Sequence, residues 1–154
     1  EDFLAHQTAY DITGLKDFVD LNHFGQYNMP MSWATVMMFR RSKTAELIFN
    51  TMTMVRDHWN HYREIYHNSR PTYRNDHALS IALNVISGHT LKYPTIPWAL
   101  ASLTPDHKIT QLDHDHYRID YYTPENKPRW IALKNQDFHA MGKQQLGAIV
   151  ANNS

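Results

Sequence analysis

The stretch MSWATVMMFRRSKTAELIFNTMTMVRDHWNHYREIY, Met31 to Tyr66, contains a change of hydrophobic period that decides the fold class. Met31 to Phe39 is almost continuously apolar and rich in β-branched and aromatic residues, which predicts a strand buried on both faces. It stops at Arg40 and Arg41, and Ser42 follows as a helix N-cap whose hydroxyl can accept from a first-turn amide. Beyond it Ala45, Ile48, Met52, Val55, Trp59, Tyr62 and Tyr66 recur at spacings of three and four, the apolar stripe of a helix about six turns long. Lys43, Glu46, Asn50, Asp57, Asn60, His61 and Glu64 occupy its other side, as expected of a helix lying on a sheet.

Further along, YRNDHALSIALNVISGH, Tyr73 to His89, leaves almost no polar face between Ala78 and Ile86 and ends at Gly88, so a buried helix is expected. Segments punctuated by Pro94 and Pro97 read as extended chain, and residues 107 to 133 as three short strands with turns at Asp113 to His116 and Pro124 to Pro128. A strand end, a loop and a terminal helix complete the chain. Upstream, a short helix is expected around Gly14 to Leu21, followed by the loop NHFGQYNMP with Gly25 and Pro30. The whole reads as one α/β domain over residues 1–154: a layered sheet, a long amphipathic helix and a buried helix.

Fifteen basic residues balance fifteen acidic ones, with no long basic block, so no nucleic-acid partner is expected. The absence of cysteine excludes disulfides, thiolate zinc sites and a cysteine nucleophile, and is consistent with a cytoplasmic chain. No apolar run reaches the roughly 20 residues of a membrane helix, and the amino end lacks the pattern of a signal peptide. No Gly-rich phosphate loop or Gly-x-Ser-x-Gly elbow is present.

Three groups could carry chemistry. Asn75 or Asp76 can cap the buried helix, and the same helix end, with His77 beside it, could bind a sugar hydroxyl or an anion. In NQDFHAMGKQQ, His139 and Lys143 flank Gly142, so an imidazole metal ligand and an ammonium for a phosphate lie close in sequence. Asp113, His114, Asp115 and His116 suit either a divalent ion or a polar hairpin turn, and the turn is favoured. Asp57, His58 and His61 lack the spacing of a zinc-protease helix and read as solvated.

In order, the strand MPMSWATVMMFRRS, the long helix, RNDHALSIALNVI and the late FHAMGK resemble the carboxyl-terminal half of GT-A-type nucleotide-diphospho-sugar glycosyltransferases, over roughly residues 31 to 145. The resemblance implies part of a GT-A fold, a nucleotide-sugar donor, an unidentified acceptor and a divalent cofactor, Mn²⁺ or Mg²⁺. It implies Asp76 as the catalytic acidic residue near the sugar, Asn75 and His77 beside it in substrate binding, His139 as metal ligand and Lys143 as diphosphate contact. That family's first half carries an Asp-x-Asp site, and only 30 residues precede the strand here. A fragment, favoured by the opening Glu1, or a short relative that has lost donor binding is therefore expected, with sugar transfer incomplete in the isolated chain. Two competing expectations are a non-catalytic assembly or binding module, forming a homo-oligomer through its Tyr, Trp and Met residues, and a small metal-binding protein centred on Asp113 to His116.

Overall fold

A computed structural model describes residues 2–14, 22–89 and 95–152. The chain divides into two compact units, residues 1–9 with 18–99, and residues 10–17 with 100–154. The described residues form a mixed α/β structure, with four helices and several small sheets in place of one layered sheet. No described helix is long and apolar enough to cross a membrane. The short helix expected around Gly14 to Leu21 falls on residues 15–21, outside the described residues.

In the first unit β1 (Phe3–His6) pairs antiparallel with β5 (Trp33–Phe39), with a register shift between Ala5 and His6. The expectation that Met31 to Phe39 is buried on both faces is corrected. Met31, Ser32 and Trp33 are buried, but among the described residues β5 has β1 as its one strand neighbour, and Met38 and Phe39 end more than half exposed. Two helices cover one face of this ribbon: α1 (Lys43–Asp57) and α3 (Asn75–Ile86). Phe3, Ala5, Ala45, Ile48, Leu79 and Leu83 form the core between them.

Ser42 caps α1 as expected, its Oγ accepting from the Ala45 amide at 3.2 Å. The six-turn helix is interrupted at His58, and α2 (Trp59–Ile65) continues after it. The apolar stripe runs through this break because Trp59 is itself buried, so periodicity alone does not reveal it. The end of α2 is a Schellman turn: the amide of Asn68 bonds to Arg63 O at 2.9 Å and that of His67 to Glu64 O at 3.1 Å. His67 takes the left-handed position, with φ of 47°. The hairpin β3 (His23–Phe24) and β4 (Met29–Pro30) passes so close that a Cβ on Gly25 would collide with Tyr66 O, and Gly25 has φ of 71°. Helix α3 ends in the same motif: the amide of His89 bonds to Asn84 O at 2.7 Å, with Gly88 at φ of 62°.

The second unit contains β6 (Leu100–Leu103), β10 (Phe138–Ala140) and all of β2 (Ala9–Asp11) but its first residue, in one three-stranded sheet where β10 runs parallel to β6. A separate meander, β7 (Lys108–Asp113), β8 (His116–Tyr122) and β9 (Pro128–Lys134), realises the three strands and both turns read from the sequence. Ile109, Ile119 and Leu133 turn inward to join Ala101, Leu103 and Ala140 in the core. The chain closes with α4 (Lys143–Asn152).

Candidate functional site

The opening of α3 is a tightly bonded polar cluster. Arg74, in extended conformation, holds the N-cap position without a side-chain cap bond, so neither Asn75 nor Asp76 caps the helix as expected. The Asp76 carboxylate turns inward instead. Its Oδ1 accepts from the Ala34 amide on β5 at 2.9 Å, and its Oδ2 from Arg74 Nη2 at 2.6 Å. One turn on, Ser80 Oγ donates to Asp76 O at 2.6 Å and accepts from the Ser32 amide at 2.7 Å. Two amides at the buried start of the strand are thus satisfied by side chains of α3, the bonding that buried backbone donors require. Asn75 is exposed at the helix mouth.

His77 is 3% exposed and lies between two rings, Phe24 at 4.9 Å and Trp59 at 5.9 Å, both nearly parallel to it. Its Nδ1 meets Asn68 Nδ2 at 3.0 Å, and Asn68 Oδ1 in turn accepts from the Arg70 amide at 3.0 Å. Since the Asn68 amide donates here, His77 Nδ1 is the acceptor and the ring is neutral. Burial foremost, with the Arg74 and Arg70 charges acting the same way and Asp76 opposing them, lowers the His77 pKa from 6.5 to about 4. His77 is therefore packed as an aromatic core residue.

His139 and Lys143 belong to the second unit. His139 lies half-buried on β10, opposite Ser102 of β6. The chain leaves β10 through Met141, whose amide bonds to Leu103 O at 3.1 Å, and passes Gly142 directly into α4. Lys143, the first residue of α4, is exposed. An imidazole and an ammonium thus flank the carboxyl end of a parallel strand and a helix amino terminus, a setting that favours anions. A Cβ on Gly142 would make only ordinary contacts, at 3.6 Å from Pro105 and Gln145, so packing does not require glycine there.

Asp113 to His116 form the β7–β8 turn, with Asp113 Oδ1 accepting from the His114 amide at 2.7 Å. An open hollow of about 790 Å³ adjoins it, lined by Leu112, Asp113, His114, Tyr117 and Val150, without His139 or Lys143. Asp57, His58 and His61 are exposed, and Asp57 pairs with Arg56 at 2.9 Å. No group of three His, Asp or Glu side chains able to hold a metal ion occurs among the described residues.

Sequence reading missed Arg74, Ser80 and Asn68. Ser80 stands four residues after Asp76, the spacing of neighbours on one helix face, so it was within reach; Arg74, two before, meets Asp76 because it precedes the helix in extended conformation, which helical spacing does not reveal. Asn68 was out of reach as well, because its link to His77 depends on the turn that ends α2. The chain matches no family model, no curated protein and no solved structure.

Proposed function

We propose that the chain is a glycosyltransferase-like domain of the GT-A type, moving a sugar from a nucleotide-diphospho-sugar donor to an acceptor. The observation that carries this reading is the junction where β10, with His139 one residue before its end, gives way through Met141 and Gly142 to α4 at Lys143. An exposed ammonium, a helix dipole and an imidazole at the end of a parallel strand suit a diphosphate leaving group, whose developing charge they would stabilise. Asp76 is proposed to orient sugar or acceptor hydroxyls. Both its oxygens are held by protein donors, so its contribution is geometric, with Asn75 offering the exposed polar group next to it. His77, bonded to Asn68 and stacked between rings, anchors the first turn of α3, which carries Asp76.

A divalent ion, Mn²⁺ or Mg²⁺, would add positive charge at the diphosphate. His139 would supply one ligand to it, and the described side chains do not form a complete protein cage around it. The test is calorimetric titration of the chain with UDP and GDP, each with and without Mn²⁺. Binding should occur, and should be lost in both His139→Ala and Lys143→Ala while surviving in His114→Ala. Binding of neither nucleotide, or equal loss in all three variants, would count against the reading.

One observation favours a non-catalytic assembly module. Leu47 and Met54 lie seven residues apart on one side of α1, 52% and 43% exposed, and Met38 and Phe39 are exposed on the same unit. Under that reading, sedimentation would give a stable homo-oligomer that Leu47→Glu dissociates, and no nucleotide would bind.

A further inference from the structure

The β7–β8–β9 meander buries one face and leaves the other open. On the open face the strand register sets Lys108, Asp120 and Trp130 in one row, and Thr110, Arg118 and Ala132 in the next. Tyr122, two residues beyond Asp120, shares this face and lies diagonal to Trp130. Both aromatic residues are 59% exposed. The Arg118 guanidinium carbon sits 5.1 Å from the Trp130 ring centroid, while Nε and Nη2 donate to Asp120 Oδ1 at 2.9 and 2.7 Å. The indole is therefore steadied on one side by a cation that is itself tied to the neighbouring strand position.

We propose that this face is a binding platform for a neutral glycan chain, the Trp130 and Tyr122 rings stacking on the apolar faces of sugar rings. Arg118, Lys108, Asp120 and Thr110 supply donors and acceptors for the hydroxyls around them. Aromatic side chains give large contact area at low entropic cost, and the Arg118 bonds hold the platform in shape before anything binds. Charge selects the class of partner. Arg118 is paired with Asp120, and the register leaves Lys108 and Lys134 at opposite corners of the face, so a polyanion meets no continuous positive field. A neutral polyol, which needs both donors and acceptors beside a flat apolar surface, fits. This inference does not rest on the sugar-transfer reading, because the platform lies within the meander and uses none of its residues.

The experiment titrates the full chain with cellohexaose, mannohexaose, xylohexaose and chitohexaose, and separately with a heparin hexasaccharide and oligo-dT, following calorimetry and tryptophan fluorescence. At least one neutral hexasaccharide should bind. Trp130→Ala should weaken that binding by about tenfold or more and Trp130→Phe by about threefold or less, as stacking energies imply. Trp98→Ala removes another half-exposed tryptophan and should change nothing. Thermal unfolding of Trp130→Ala and Trp130→Phe separates lost binding from lost fold. The proposal is overturned if no neutral hexasaccharide binds at millimolar concentration, or if Trp130→Ala and Trp130→Phe bind like the parent. Tighter binding of either polyanion, or a dimer in sedimentation that Trp130→Ala splits, would overturn it as well.

Discussion

The opening of α3 and the opening of α4 are both helix starts bearing charged residues, yet they treat charge in opposite ways. At α3 the carboxylate of Asp76 is turned into the protein and bonded on both oxygens, and Ser80 closes a second pair of bonds to the strand. At α4 Lys143 is left exposed, and Gly142 before it is not demanded by packing. A polar side chain consumed by backbone donors fixes where a strand and a helix meet. One left open costs the fold little to keep and is available to a ligand. The first junction is therefore expected to answer in stability, the second in binding.

The largest stability effect is expected at Asp76. Asp76→Ala leaves the Ala34 amide and the Arg74 guanidinium without their acceptor and should lower stability by about 3 kcal/mol, the low end of the range for broken buried pairs since Arg74 is partly exposed. Asp76→Asn keeps an oxygen for Ala34 but loses the ion pair, and about 1 kcal/mol is expected. Urea denaturation with a fixed m-value reads both. Equal stability of parent and Asp76→Ala would erase the contrast between the junctions.

Next is acid. His77 is neutral in the fold, with its pKa lowered to about 4 by burial, against an ordinary 6.5. The unfolded chain therefore takes up the proton first. The stabilising contribution is complete above pH 6.5, declines as pH falls through the interval to about 4, and is fully lost below it. At about 1.4 kcal/mol for each pH unit, up to about 3 kcal/mol is at stake over that window. His107 in the second unit has its pKa lowered in the same direction by burial, its Nδ1 accepting from the Thr104 amide at 3.2 Å, and adds a slope of the same sign. Denaturation at a series of pH values should show the decline, and His77→Phe should flatten most of it. An unchanged slope in that variant would assign the acid sensitivity elsewhere.

Smaller again is Ser80→Ala, which removes the acceptor of the buried Ser32 amide and should cost about 1–2 kcal/mol. Like Asp76→Ala, it should also loosen the start of β5, seen as faster hydrogen exchange at Ser32 and Ala34.

These interactions mark where the sequence was legible. Local signals held: Ser42 before a 3.6-residue period became a bonded cap, and the alternating strands with their two turns became the meander. Gly88 after an apolar run became a left-handed helix end. Contacts distant in sequence were not legible. Asp76 looked like a cap because its actual partner, the Ala34 amide, lies 42 residues away. Met31 to Phe39 looked like a central strand because apolar content does not distinguish one covered by two helices on one face from one buried on both. The polar character of His77 concealed its place in a stack of rings. For the candidate site, the residue types at Asp76, His139 and Lys143 were readable, whereas the inward commitment of one and the exposure of another depended on folding.

The smallest stability effect is expected at the second junction, and it sharpens the comparison most. Gly142→Ala adds a methyl group that meets its neighbours at ordinary distance, and Lys143→Ala removes an exposed chain, so each should alter stability by no more than about 0.5 kcal/mol. If the junction holds a diphosphate, nucleotide affinity should nevertheless fall in both variants. Lys143→Ala would lose the ammonium, and Gly142→Ala would obstruct close approach of the ligand to the backbone. A loss of binding without a loss of stability at Gly142 would identify a glycine kept for a ligand, because the fold has no use for it. Unchanged nucleotide affinity in both variants would make this junction an ordinary strand-to-helix turn, and the diphosphate reading would lose its principal support.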